Sequence, residues 1–338
     1  MDLTYGNNGY LVSLLQYALQ RAGLDAGNPD GIFGRRTAKA LMRFQREQGL
    51  AADGIAGKLT WAALYPYITG YTLHRVGPEK TVIVPLDLNV VTDALPCSYL
   101  LTCLMLKGLT LRYPFLSVRE IGRSVMGRPI QAISLGKGED QIGYVGPHHA
   151  DEGNIVIRML RFLERYAATY VSDGSMDGVS ATELYEAVTL HMVPLVNPDG
   201  VDLVTGALDP MDSFYVQAQA LAAHYPAIVF PDAWRGNISG VDLSLQYPTG
   251  WQEARRIRFA LGFSRPGPRD YVGSEPLIAP ESRAIAKWTR DRGLSLLLSH
   301  DAGYTDWFRS KWGHDGITLK GEGEDILPIL ARSVPISP

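Results

Sequence analysis

The chain has 338 residues, 46% of them hydrophobic, which is enough for one large and one small folded core. Its formal net charge is −3 and its basic residues are scattered, which argues against a nucleic-acid groove or an anionic membrane surface as partner. No apolar run approaches the ~20 residues that span a bilayer.

The first residues, Met1-Asp2-Leu3-Thr4-Tyr5-Gly6, form neither a basic nor an apolar leader. The expectation is a cytoplasmic protein, or a cell-wall protein trimmed of its leader. Residues 1–66 read as a small three-helix all-α domain. Leu11, Leu14, Leu15, Ala18 and Leu19 form one helical stripe, Ala40, Leu41 and Phe44 a second, and Trp61 with Leu64 a short third. Between them a phrase repeats: Asp30-Gly31-Ile32-Phe33-Gly34-Arg35-Arg36-Thr37, then Asp53-Gly54-Ile55-Ala56-Gly57-Lys58-Leu59-Thr60. Asp-Gly supplies a turn, the second Gly permits an unusual backbone angle, and Thr37 and Thr60 are expected to cap helices. Ile32 and Ile55 are expected to plug the core. This doubled phrase resembles the bacterial peptidoglycan-binding domain, and the resemblance implies a module that docks on cell-wall glycopeptide.

Residues 67–80, punctuated by Gly70 and Gly77-Pro78, read as a linker to a second domain over 81–338. There β-like runs (81–86, 130–135, 142–145, 189–196, 294–299) alternate with helical stretches (95–107, 155–168, 181–187, 281–291). This alternation predicts an α/β domain, a mixed sheet flanked by helices, with functional groups on loops at strand ends. If 95–107 is a helix, Cys97 and Cys103 lie on different faces and do not bond to each other. Two buried free thiols fit a reducing compartment. With only two cysteines, a metal site must rely on His and carboxylates.

Gly146-Pro147-His148-His149-Ala150-Asp151-Glu152 follows one β-run and precedes a long amphipathic stretch. A turn at the helix start aims His149 and Glu152, three residues apart, at one point. An imidazole and a carboxylate suit zinc, which takes three protein ligands and leaves a fourth position open. His148 with Asp151 is an equally spaced rival pair. His300, at the end of the buried run 294–299, is the candidate third ligand. His74, His191, His224 and His314 read as surface or core residues.

The segment 121–152 resembles the zinc carboxypeptidase family through Ile121-Gly122-Arg123-Ser124, Gly127-Arg128-Pro129-Ile130 and His149-Ala150-Asp151-Glu152. Pro194-Leu195-Val196-Asn197-Pro198-Asp199-Gly200, Trp234-Arg235-Gly236-Asn237, Gly240-Val241-Asp242-Leu243 and Ser299-His300 continue the resemblance in family order. It implies Zn2+ held by His149, Glu152 and His300, with Arg235 steadying an oxyanion. Arg235, Asn237 and Ser244 become the candidate substrate-binding residues. A wall-binding module joined to this peptidase resembles the bacterial γ-D-glutamyl-L-diamino acid endopeptidases, implying muropeptide stem peptides as substrate and a setting in a sporulating cell.

Two departures accompany the resemblance. Where the family has Asn, often followed by Arg, this chain has Ser244 and Leu245. Where the family places its general-base glutamate, one alignment gives Lys320 and another Leu319, neither a carboxylate. Glu322 and Glu324 follow closely, but two to four residues of extended chain move a side chain by roughly 6–14 Å. Glu322 substitutes only if a loop folds back. The expectation is a zinc metallopeptidase with its base replaced, the alternative an inactive zinc-bearing pseudopeptidase that binds wall peptides.

Overall fold

The repeated Asp-Gly-Ile phrase folds around two buried glutamines. In the computed structural model, which describes residues 2–75, 81–86, 88–320 and 326–334, the three helical stripes become α1 (Tyr10–Arg21), α2 (Arg35–Glu47) and α3 (Lys58–Thr69). Gln16 shares its Nε2 hydrogens among Asp30 Oδ1 (2.9 Å), the Ile32 carbonyl (3.1 Å) and Thr37 Oγ1 (3.2 Å), and its Oε1 accepts from the Gly31 N–H (3.0 Å). Gln45 repeats the pattern with Asp53 (2.9 Å), Ile55 (2.9 Å), Thr60 (3.2 Å) and Gly54 (3.0 Å). Gly31 and Gly54 have φ of 77° and 72°, the left-handed region that glycine enters without strain.

This network overturns three expectations, the first being that the second glycine of each phrase takes an unusual angle: Gly34 and Gly57 are extended, with φ of −90° and −88°. Ile32 and Ile55 do not fill the core: they are 62% and 37% exposed, while the next residues, Phe33 and Ala56, are buried. Each Ile backbone N–H donates to the preceding Asp carboxylate at 2.9 Å, a local turn that points the Ile side chain outward. Thr37 and Thr60 do not cap helices either. The N-cap positions belong to Gly34 and Gly57, and the threonines lie a turn further in, buried against the glutamines.

The chain divides into two compact units, Met1–Pro96 with Leu100–Pro114, and Cys97–Tyr99 with Phe115–Pro338. The first therefore extends past the three helices. Within the stretch read as a linker, β1 (Tyr71–Arg75) pairs antiparallel with β2 (Thr81–Pro85), and α4 (Tyr99–Arg112) starts four residues later than the helical stretch read from the sequence. Arg112 fastens this part by donating to the Gly70 and Leu86 carbonyls at 2.8 and 2.7 Å. Cys97 is buried, Cys103 half-buried, and both are free thiols.

The second unit alternates strand and helix as expected. β3 (Ser117–Arg123), β4 (Pro129–Leu135) and β5 (Asp140–Val145) lead into α5 (Gly153–Val171). A short hairpin of β6 (Ser175–Met176) and β7 (Val179–Ser180) precedes α6 (Ala181–Ala187), β8 (Val188–Val193), α7 (Pro198–Val204) and α8 (Ser213–Ala222). Then come α9 (Trp251–Ala260), α10 (Pro280–Arg292), β9 (Leu296–Ser299), α11 (Ala302–Trp312), β10 (Asp315–Thr318) and α12 (Leu327–Leu330). The sheet order is β10-β9-β5-β8-β4-β3, parallel from β10 to β8 and antiparallel from β8 to β3. Val145, Val193 and Leu297 from the parallel strands pack with Ile285 and Trp288 of α10 and Tyr304 and Phe308 of α11 in one core. Burial of this kind on parallel strands explains their near-continuous apolar runs. Among the described residues, no helix is long and apolar enough to cross a membrane.

A buried acid lies at the start of α10. Glu281 accepts from the Val125 N–H (3.1 Å) and from Asn237 Nδ2 (3.0 Å), and burial pushes its pKa up to about 7. Raised above the unfolded value of 4.5, the group leaves stability untouched below pH 4.5 and erodes it as pH climbs to about 7, after which the loss is constant. Glu281→Gln should therefore gain on the parent protein across that window, by up to about 3 kcal/mol at about 1.36 kcal/mol per pH unit. Urea unfolding of both proteins from pH 4 to 8 checks this; parallel stability–pH curves would refute it. The glutamine network makes a second prediction. Gln45→Leu leaves a buried Thr hydroxyl and a Gly N–H short of a partner, at about 1–3 kcal/mol per unsatisfied group. Hydrogen exchange in α2 should quicken accordingly, whereas unchanged protection would show that the network does not hold the helix.

Candidate metal centre

Strand register brings the predicted site residues to one edge of the sheet. Val145 lies opposite both Val193 and Ser299, and Ser299 lies opposite Thr318. The segments that carry His149, Asn197, His300 and Lys320 thus leave the sheet at the C-terminal ends of neighbouring parallel strands, where open α/β sheets place their sites. Asn197 is buried and joins these loops. Its Nδ2 donates to the His148 carbonyl (3.2 Å) and the Gly236 carbonyl (3.0 Å), while its Oδ1 caps α7 by accepting from the Gly200 N–H (3.1 Å). The Ala150 N–H adds a bond to the Arg235 carbonyl at 3.1 Å. Arg128 pairs with Asp202 (2.8 Å) and approaches Asp199 (3.6 Å), and Ser124 Oγ and the Met126 N–H each donate to Asp199 at 2.9 Å. The Gly-Arg-Pro and Asn-Pro-Asp-Gly phrases are thus the scaffold beneath the site.

His149 and Glu152 come together as expected. His149 Nδ1 lies 3.4 Å from Glu152 Oε1, and His149 Nε2 lies 3.4 Å from Asp242 Oδ1. Two ligand atoms on one tetrahedral zinc, with bonds of about 2.1 Å, stand roughly 3.4 Å apart, whereas a charge-assisted hydrogen bond is about 2.7–2.9 Å. The Nδ1–Oε1 spacing fits shared ligation, and the equally long Nε2–Asp242 contact puts a buried carboxylate on the other side of the ring, where carboxylates stand behind metal-bound histidines. Asp242 is itself held by Ser244 Oγ (2.7 Å), the Ser244 N–H (3.2 Å) and the Asp270 N–H (3.0 Å). Burial works against charge at both groups. Asp242 and Glu152 nonetheless raise the His149 pKa to about 10, and His149 with the surrounding donors holds Asp242 below the usual carboxylate range.

Among the described residues, His149, Asp151 and Glu152 form the group whose ligand atoms all lie within 4.8 Å of one another. His300 is half-buried at the end of β9, its Nε2 3.1 Å from the Tyr144 hydroxyl. The rival pair separates. His148 is sealed among Tyr247 and Tyr304, with Nε2 2.6 Å from the Tyr247 hydroxyl, and burial together with His149 lowers its pKa to about 3. Asp151 instead pairs with Arg235, Oδ2 to Nε at 2.9 Å, which holds the guanidinium beside the ligand turn.

Other candidates take different places. Asn237 is buried: its Nδ2 donates to Glu281, and its Oδ1 accepts from the Ser239 and Val241 N–H groups at 3.1 and 3.0 Å. That makes it a loop scaffold, a correction to its reading as a substrate contact. The Ser244 hydroxyl donates to Asp242 Oδ1 at 2.7 Å, so its one donor is already engaged. Leu319 is buried, its N–H bonded to the Ser299 carbonyl (2.8 Å), and Lys320 is exposed. Glu322 and Glu324 lie outside the described residues. Asp242 had no assigned role in the sequence reading, although its Gly-Val-Asp-Leu phrase stood out. Asp301 had none either: it caps α11 through the Tyr304 N–H (2.7 Å), and burial carries its pKa up to about 7.

The peptidoglycan binding domain model matches residues 8–64, and the zinc carboxypeptidase model matches residues 103–336. The chain is 32% identical over 265 residues to gamma-D-glutamyl-L-diamino acid endopeptidase 1 of Lysinibacillus sphaericus, covering 66% of this chain and 65% of that protein. It is 35% identical over 208 residues to the uncharacterized protein YqgT of Bacillus subtilis (strain 168), covering 61% of this chain and 52% of that one. The chain thus spans less than two thirds of either relative. With the carboxypeptidase model covering more than half of its length, the chain belongs to the zinc carboxypeptidase family.

Proposed function

We propose that the chain is a zinc metallopeptidase that hydrolyses the γ-D-glutamyl–diamino acid bond of peptidoglycan stem peptides, with residues 1–66 docking it on the wall. The His149–Glu152 pair backed by Asp242 carries this reading, and the similarity to the Lysinibacillus endopeptidase supports the substrate class. His149, Glu152 and His300 would hold the ion. When bound, zinc supplies a Lewis acid that polarises the scissile carbonyl and lowers the pKa of an attacking water toward about 7. Asp242 keeps the His149 ring in one tautomer. Arg235, braced by Asp151, meets the carbonyl oxygen as negative charge develops there. Proton transfer from water to the leaving amine is the weak step, because neither Leu319 nor Lys320 is a carboxylate. That deficiency also favours a second reading, an inactive zinc-bearing protein that binds wall peptides without cutting them.

Two experiments bear on this. Metal analysis of the purified chain should find one zinc. His149→Ala and His300→Ala should lose it, and Asp242→Ala should weaken affinity about 10–100-fold; full occupancy in either histidine variant would sink the ligand assignment. On a defined muropeptide the parent chain should turn over slowly. A missing base costs typically ~10²–10⁴-fold, so Lys320→Glu should recover rate if that position faces the water. Fast cleavage by the parent, unchanged by Glu322→Gln, would show that the base lies elsewhere. Zinc-loaded protein that binds muropeptide and never cuts it would establish the second reading.

A further inference from the structure

A second polar feature lies at the β3 edge of the sheet. A pocket of about 360 Å³ opens between the edge strand β3 and the last turns of α10. β9 begins at Leu296, just after α10 ends at Arg292, and finishes at Ser299, just before His300. Arg292 and His300 therefore lie at opposite ends of the same strand. β3 is the edge strand, four places from β9 in the sheet order, so the Arg119 wall of the pocket is set apart laterally from His300.

The pocket wall carries Arg119, Arg292 and Lys287, with Trp288, 5% exposed, among the lining residues. Its two acids are already matched: Glu120 pairs with Arg123 (2.9 Å), and Asp291 with Arg290 (3.1 Å) and Lys287 (3.7 Å). Among the described residues, neither Arg119 nor Arg292 has a carboxylate partner. They are close enough to work against each other. Burial, then Arg119, lowers the Arg292 pKa, and the two arginines add to the burial that lowers His191 behind them to about 4. Two unpaired guanidinium forks at one concavity form an arrangement that bidentate oxyanions relieve. A volume of this size falls in the range of small-ligand sites.

We propose that this pocket binds a multivalent oxyanion, carboxylate or phosphate, through Arg119 and Arg292, at a site separate from the metal centre. The proposal does not depend on peptidase activity. Calorimetric titration of the full chain at about 50 mM salt, where screening is modest, tests it with two probes, tripolyphosphate and tricarballylate. Saturable binding of at least one probe is expected; the stronger probe identifies the phosphate or the carboxylate source. Arg119→Gln with Arg292→Gln should weaken that binding at least about tenfold, the loss of charge-assisted bonds, while His149→Ala should leave it unchanged. Both arginines are at least partly exposed, so an unaltered thermal midpoint checks that the double variant folds. Absence of saturable binding by both probes, full binding by the double variant, or loss of binding in His149→Ala would overturn the proposal.

Discussion

The site depends on one buried amide. Asn197 follows β8 and engages both side-chain polar atoms inside the protein, on the carbonyls of His148 and Gly236 and on the first turn of α7. Those carbonyls belong to the two loops that carry His149 and Arg235. Neither loop is regular structure, and each would wander without a partner for its backbone. In a low-dielectric setting an unpaired amide or carbonyl is costly, so the three segments hold one another in a single arrangement. His149 and Arg235 inherit their positions from that constraint.

Beneath it, a layer of acids and bases is tied together in the same way. Asp199 and Asp202 are buried, and burial raises both pKa values despite Arg128 and the N–H groups of Met126 and Tyr99. Breaking one member leaves a buried charge without compensation, which costs more than the intact pair contributes. This explains why the scaffold phrases Gly127-Arg128-Pro129 and Asn197-Pro198-Asp199-Gly200 stand out in the sequence as clearly as the candidate ligands do.

Much was legible in the residues. The alternating runs predicted a mixed sheet with flanking helices, and the His149–Glu152 spacing predicted their meeting. What escaped has specific causes. Ile32 and Ile55 look like core residues by hydrophobicity, but the Asp-Gly turn before each rotates the chain by one position, and the neighbours Phe33 and Ala56 go inside. Hydrophobicity alone cannot see that half-turn. Gln16 and Gln45 were invisible because a polar residue on an apolar stripe reads as a surface position, whereas here it organises the loop opposite. β1 escaped because its partner β2 lies beyond Gly77-Pro78, and the punctuation suggested a linker. Asn237 departs in the opposite direction: a polar residue inside the Trp-Arg-Gly-Asn phrase reads as a substrate contact, yet its amide bonds Glu281 and the turn of its own loop.

The electrostatics of the strand-end site give one more reason to connect it with a cation. Asp151, Glu152, Asp242 and Asp301 gather around His149, with Arg235 the cation paired to one of them. Carboxylates outnumber cations, and the proton affinities report the resulting field. His149 is driven up to about 10 against its own burial, and Asp301 up to about 7, where Asp242 and Glu152 add to the burial that dominates. A field that raises the affinity for protons at an imidazole and a carboxylate also favours a divalent ion, which competes with those protons for the same lone pairs. Ser244 and Leu245, where the family has Asn and often Arg, fit this account, because Leu245 removes a cation. A hydroxyl strengthens the hold on Asp242 without adding positive charge, so the local excess of negative charge is preserved for the metal.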